Sequence, residues 1–209
     1  MIRILLADDH SMFREGLKYI IADEPDMQVT GETASSREAI SKIMEEDYDV
    51  VVLDINIPGR DGIQVLSEIK AAKPNVAVLM LSMYAEEQFA MRALRAGASG
   101  YLTKESAPDE FIAALRIVAQ GGKYITSSVA EILANNIDIH VERPPHEKLT
   151  DREFEVMLKI SLGKKIGEIA RELNLSGKTI STYRARILEK MKMTDNTELT
   201  QYAIRHSLL

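Results

Sequence analysis

The chain has 209 residues, 45% hydrophobic and 28% charged, enough to bury one large core or two small ones. It contains no cysteine, which excludes a disulfide scaffold and any thiolate metal site. No apolar run approaches the ~18–20 residues of a membrane span; Val76 to Leu81 is typical of the longest. The formal charge of −6 is unevenly spread. Residues 1–120 carry 12 Lys/Arg against 20 Asp/Glu, residues 121–147 carry 2 against 4, and residues 148–209 carry 12 against 8. An acidic first part and a basic last part imply two partners of different kinds.

Met1 to Ala7 is an apolar burst cut off by Asp8-Asp9, with no cleavage-type segment behind it. It reads as a first strand of a cytoplasmic protein and not as a signal peptide. Val50 to Leu53 and Val76 to Leu81 are similar short runs, as expected of strands buried on both faces. Weaker strands are expected at Gln28 to Thr33 and Ser99 to Thr103. Helical spacing lies between them: Phe13, Leu17, Ile20 and Ile21; Ala39, Ile43 and Met44; Val65, Leu66 and Ile69; then Phe111, Ala114, Leu115 and Val118. Five strands alternating with five helices imply right-handed crossovers and a doubly wound parallel sheet. From Gly121 the pattern degrades. One amphipathic helix is expected at Ser127 to Ala134, and Pro144-Pro145 in a polar stretch marks a linker, placed at 121–147. Helices follow. Thr150-Asp151-Arg152-Glu153 is a capping box, and Gly163 ends that helix. Ile166 to Leu173 is a short second helix. Asn174-Leu175-Ser176 breaks the chain, Ser176 caps Lys178 to Met191, and a last helix runs from about Asn196 to His206.

A doubly wound sheet brings its strand C-termini to one edge. Asp8 and Asp9 follow the first strand, Asp54 ends the third, Ser82 the fourth, and Thr103-Lys104 the fifth. Three carboxylates gathered there repel one another unless a cation neutralises them, and a few hard oxygen ligands favour Mg²⁺. An ammonium and a hydroxyl opposite suit the oxygens of a transferred phosphoryl group. The set fits an aspartate that accepts phosphate. Each residue alone also has a plain reading: a solvated acidic turn, a surface lysine, a strand-end hydroxyl, a half-buried strand tyrosine at Tyr101. Four strands ending this way together favour the functional one.

These residues, with Leu6-Ala7-Asp8-Asp9-His10, Val52 through Gly62, Leu81-Ser82 and Gly100-Tyr101-Leu102-Thr103-Lys104, resemble the receiver domain of two-component response regulators over residues 1–120. The resemblance implies a flavodoxin-like α/β fold with Asp54 as phosphoacceptor. It implies that Asp9 and Asp54 ligate Mg²⁺, Asp8 through water and Asn56 through its backbone carbonyl. Lys104 would hold the phosphoryl group, and Ser82 and Tyr101 would form a switch pair, the hydroxyl moving toward the phosphate and the ring inward. Many receivers have Pro after the lysine, where Glu105 stands here.

Helix, three-residue turn, helix describes Ile166 to Met191. On a wheel of about 100° per residue, Ile180, Ile187 and Met191 form an apolar seam, and Lys178, Thr182, Ala185, Arg186 and Glu189 face away. Such a face suits a major groove; a solvated helix in a small bundle is the plain alternative. Leu149-Thr150-Asp151-Arg152-Glu153, Ile169-Ala170-Arg171-Glu172-Leu173 and Lys178-Thr179-Ile180 resemble the LuxR-type helix-turn-helix, a small all-α domain at 148–209. The whole chain thus resembles a NarL/FixJ-type response regulator. By position, Lys178, Thr179 and Lys190 would contact phosphates, and Ser181 and Thr182 would read base edges. Arg186 joins them from the wheel. Tyr183 stands where the family often has His, and Ala185 where some members have Lys. The stripe Leu199, Tyr202 and Ala203 is core, with a dimer contact implied by the resemblance.

The reading is a transcription regulator without a membrane segment, switched by a sensor histidine kinase at Asp54 and binding promoter DNA as a dimer. One rival is a metal-dependent phosphohydrolase, which wants a second acid near its nucleophile; Asn56, two residues on, is not one. Another keeps DNA binding without phosphorylation control, against an acidic site that is intact in sequence.

Overall fold

The computed structural model describes residues 1–83, 86–135, 144–206 and 208–209. The chain falls into two units, Met1–Asp138 and Ile139–Leu209, each with a core of its own. In the first, the apolar runs form β1 (Ile2–Ala7), β2 (Met27–Thr33), β3 (Val50–Asp54), β4 (Ala77–Ser82) and β5 (Gly100–Thr103). They make one parallel sheet in the order β2-β1-β3-β4-β5. Every residue of β3 and β4 is buried, as expected when helices cover both faces. The intervening helices are α1 (Ser11–Ala22), α2 (Ser36–Glu45), α3 (Gly62–Ala72), α4 (Glu86–Arg95) and α5 (Pro108–Ala119). Met44 departs from the expected pattern. It lies at the end of α2 and is exposed, while Ala39 and Ile43 carry the buried stripe.

The strand order reverses at β1, so the C-terminal ends of β1 and β3 flank the crevice where such sheets hold ligands. The loop leaving β3 is tightly fixed. A Cβ on Gly62 would stand 2.6 Å from the carbonyl oxygen of Ile55, and the Gly62 amide donates to that same oxygen at 3.1 Å. Only glycine lets the start of α3 lie on the backbone just beyond Asp54. The Asp61 carboxylate caps α3 by accepting from the amides of Ile63 and Gln64.

The chain beyond α5 corrects the expected linker. Tyr124 forms a β-bridge with Gly100, its amide donating to the Ser99 carbonyl at 2.8 Å. Helix α6 (Ser127–Asn135) packs against α4, with Val129 buried. Residues 121–135 therefore belong to the first unit. α6 is the helix expected at Ser127 to Ala134, but no period in the segment marks its docking on α4 or the bridge of Tyr124 to β5. Of the expected linker, 136–143 lies outside the described residues.

The second unit opens with a 3-10 turn, Pro145–Lys148, followed by α7 (Asp151–Ser161), α8 (Ile166–Glu172), α9 (Gly177–Met191) and α10 (Asn196–Arg205). The capping box forms as expected. Thr150 Oγ1 accepts from the Glu153 amide, and a Glu153 carboxylate oxygen accepts from the Thr150 amide at 2.8 Å. Asn174 takes a left-handed conformation, φ 52°, in the break between α8 and α9. Phe154, Ile169, Ile180, Ile187, Leu199 and Ala203 fill the core. Tyr202 of α10 sets its hydroxyl 2.7 Å from His146 Nδ1.

Candidate functional site

The expected side chains meet at the sheet edge. Asp8 follows β1 and is buried; Asp54 ends β3 and is 1% exposed. Lys104, just beyond β5, reaches between them, with Nζ 2.9 Å from Asp54 Oδ2 and 2.7 Å from Asp8 Oδ2. Apart from this ion pair, Asp8 Oδ2 accepts no hydrogen bond among the described residues. The Lys104 amide donates to the Ser82 carbonyl at 2.7 Å, and the Ser106 amide to the Thr103 carbonyl at 3.1 Å. These bonds set the lysine's loop, with Glu105 inside it. Asn56 follows in the β3–α3 loop, its amide donating to Asp54 Oδ1 at 3.1 Å. Asp9 is exposed at the mouth.

Burial pushes the Asp54 carboxyl above its ordinary value of 3.8, opposed by the Lys104 ammonium and reinforced by Asp8. A buried carboxylate beside another and a single lysine lacks enough positive charge. The cluster of Asp8, Asp9 and Asp54 carboxylates with the His10 imidazole is dominated by hard oxygens, which fit a small divalent cation.

Ser82 is buried at the end of β4, one strand from Asp54, and is paired with Thr103 in the sheet register. Tyr101 differs from the half-buried strand tyrosine that its residue type suggests: it is 1% exposed, with its ring inward. A large aromatic ring gains more from the space between sheet and helices than the single hydroxyl costs.

Sequence reasoning gave three further residues no role. His10 Nδ1 lies 2.9 Å from Asp9 Oδ1 and 3.1 Å from Asp8 Oδ1, and 4.0 Å from Asp54 Oδ2. Arg14 donates to the Asp8 carbonyl. Lys104 Nζ stands 5.0 Å from the centre of the Phe13 ring. His10 was adjacent to the acidic pair in sequence. Phe13 and Arg14 read only as the first turn of a helix.

In the second unit, α9 presents Lys178, Ser181, Thr182, Ala185, Arg186 and Glu189 to solvent, and buries Ile180, Ile187 and Met191. The wheel thus assigned both faces. Ser181 Oγ donates to the Gly177 carbonyl at 2.9 Å and Thr182 Oγ1 to the Lys178 carbonyl at 3.0 Å. A groove of about 290 Å³ is lined by Ser176, Lys178, Thr179, Thr182, Tyr183 and Arg186. Lys190, expected at a DNA phosphate, is in an ion pair on the free chain. Its Nζ lies 2.5 Å from the carboxylate of Glu153, which is 3% exposed in its side chain and belongs to the capping box of α7. A buried carboxylate attracts the nearest ammonium more strongly than water does. Arg184, left without a role by the wheel, donates to Asn196 Oδ1 at 2.7 Å.

An acidic, lysine-bridged crevice on one unit and an exposed basic helix on the other define a receiver-type regulator carrying a helix-turn-helix. Comparison with known proteins agrees over both units. Residues 4–116 match the response regulator receiver domain, and residues 147–203 match the bacterial regulatory proteins of the luxR family. The response regulator UvrY of Escherichia coli K12 is 36% identical over 209 residues, covering all of this chain and 96% of its own. GacA of Pseudomonas viridiflava is 35% identical over 210 residues, covering 98% of its own length. Among solved structures, RcsB of Salmonella typhimurium shares 26% identity with a TM-score of 0.59, over 96% of this chain and 97% of that one. A structure of an RcsB–DNA complex shares 27% identity with a TM-score of 0.60, over 96% of each chain. The chain belongs to the two-component response regulators of the NarL/FixJ type.

Proposed function

We propose that this chain is a cytoplasmic transcription regulator whose DNA binding is set by phosphorylation of Asp54 from a partner sensor histidine kinase. The observation that carries the reading is the position of Asp54: nearly sealed at the switch point, beside a second carboxylate, with a lysine ammonium spanning both. An Asp54 carboxylate oxygen attacks the phosphorus of a phosphohistidine. The new P–O bond makes an acyl phosphate, the P–N bond breaks, and the leaving imidazole takes its proton from solvent. Lys104 pairs with the arriving phosphoryl oxygens and keeps the carboxylate oriented. Asp8, Asp9, Asp54 and the Asn56 carbonyl would hold Mg²⁺, which supplies neutralisation of the phosphoryl charge when bound. The Ser82 hydroxyl, buried at the end of β4, would donate to the phosphoryl group, with Tyr101 the second member of the switch pair.

In the second unit, α9 enters the major groove. Lys178 and Thr179 contact phosphates. Ser181 and Thr182, whose hydroxyls donate to the helix backbone, read the amino groups of adenine or cytosine as acceptors. Arg186 extends the basic face, and a homodimer matches a two-fold promoter site. Coupling between Asp54 and α9 is a difference in binding free energy between two states.

The test is duplex binding with and without a small phosphodonor and Mg²⁺. Phosphorylation is expected to tighten binding to duplexes selected from a random pool by about five- to 150-fold. Equal binding in both states would leave a DNA-binding protein without this control. Steady turnover of a phosphate ester would favour the phosphohydrolase.

The acidic crevice also predicts a reversal with pH. Without a divalent cation, the raised pKa of Asp54 contributes stability below its unfolded value of 3.8. That contribution is lost as pH rises through the raised folded value. Mg²⁺ binds the deprotonated carboxylates, so its stabilisation grows over the same range. At a hundredfold excess over its Kd it is worth about 2.7 kcal/mol. Melting curves at pH 4.5 and 7.5 with and without Mg²⁺ check this; a Mg²⁺ effect that is equal at both would refute it.

A further inference from the structure

Tyr183 and Lys190 lie two turns apart on the same flank of α9, and of the two only Lys190 is in an ion pair among the described residues. At about 100° per residue, the exposed positions spread to both sides of Glu189; Tyr183 stands about 120° and Lys190 about 100° to one side of it. Lys178, Ser181, Thr182, Ala185, Arg186 and Glu189 are exposed, whereas Thr179, Tyr183 and Lys190 are half-buried. Lys190 spends its ammonium on the buried carboxylate of Glu153. Tyr183 instead lines the open groove with Lys178, Thr179 and Arg186, and its hydroxyl has no hydrogen-bond partner among the described residues. The six lining residues supply two cations and four hydroxyls and no carboxylate, which is the chemistry of an anion site.

We propose that Tyr183 is a DNA-contacting residue whose hydroxyl donates to a backbone phosphate at the wall of the major groove, the role that position alone gives to Lys190. This rests on the reading of α9 as the DNA element. Its neighbours decide between phosphate and base: Lys178 and Thr179, the phosphate contacts of that reading, line the same groove. A tyrosine reaches there with few rotatable bonds to order. It is a neutral donor, so it displaces no counterion and adds nothing to the salt dependence of affinity.

Tyr183→Phe in the full-length, phosphodonor-treated protein separates these contributions. The probes are a duplex selected from a random pool by the wild type, and an unrelated duplex of the same length. Binding to both is expected to weaken by the same factor, about ten- to 150-fold for a lost hydrogen bond to a charged acceptor. The slope of log affinity against log salt and the melting temperature should stay as in the wild type. Wild-type affinity on both probes overturns the assignment while leaving α9 as the DNA element. A change confined to the selected duplex also overturns it, because Tyr183 would then read a base. Salt-independent binding by the wild type itself would overturn the reading of α9 as well.

Discussion

Asp54→Asn is expected to abolish phosphorylation by a small phosphodonor in the presence of Mg²⁺. The amide has no anionic oxygen to attack phosphorus, and among the described residues no other carboxylate is at once the last residue of a strand, buried and in contact with Lys104. Asp8 comes closest, with its Oδ2 2.7 Å from Lys104 Nζ. Its other oxygen, however, accepts from the His10 amide at 2.8 Å and lies 3.1 Å from the His10 ring. Asp9 is exposed at the mouth. Loss of even one tenfold in rate is about 1.4 kcal/mol of barrier; removal of the nucleophile should take the signal to background. Intact-mass spectrometry reads it directly, as a phosphoryl adduct on the wild type and none on the variant. Labelling of Asp54→Asn at the wild-type level would move the acceptor elsewhere. Lys104→Ala should retain the nucleophile and lose the oriented charge, giving slow labelling and not none.

Lys190→Ala should fail in a different way from Lys178→Ala, although both remove one cation from the same helix. Lys178 is exposed and lines the groove. Its loss should leave folding unchanged and flatten the salt slope of duplex affinity by about one unit. Lys190 neutralises Glu153, whose carboxylate also closes the N-terminus of α7. Removing the lysine leaves a buried charge compensated only by a backbone amide. Breaking a fully buried pair costs about 3–5 kcal/mol; a lysine 36% exposed in its side chain sits below that, at roughly 1–3 kcal/mol after screening. That is a large share of a small domain's stability. The variant should melt well below the wild type, and its DNA affinity should recover at low temperature with an unchanged salt slope. A normal melt together with a flattened slope would restore Lys190 to the phosphates.

The fold was legible because its signals are local and repeated. Val50 to Leu53 and Val76 to Leu81 announce buried strands without help, and the acidic pair after β1 locates the edge where the site lies. The seam Ile180, Ile187 and Met191 assigned both faces of α9. What escaped depends on pairs distant in sequence. Lys190 and Glu153 are 37 residues apart, and no periodicity joins them. Tyr101 alternates correctly for a strand, but its full burial depends on what packs over β5. The helix carrying Val129 was legible, but its docking on α4 and the bridge of Tyr124 to β5 are contacts between elements that no period records.

The bridge between Tyr124 and Gly100 bears on how the first unit can be isolated. β5 is the last strand of the sheet, with one side of its backbone bonded to β4 and the other facing outward. A chain cut at residue 120 would strip away Tyr124, uncover that side, and remove α6 with its buried Val129 from α4. Bare strand edges template pairing between copies. Dimers observed with such a fragment would then report the site of the cut, and a receiver ending after Asn135 is the one whose self-association speaks for the intact protein.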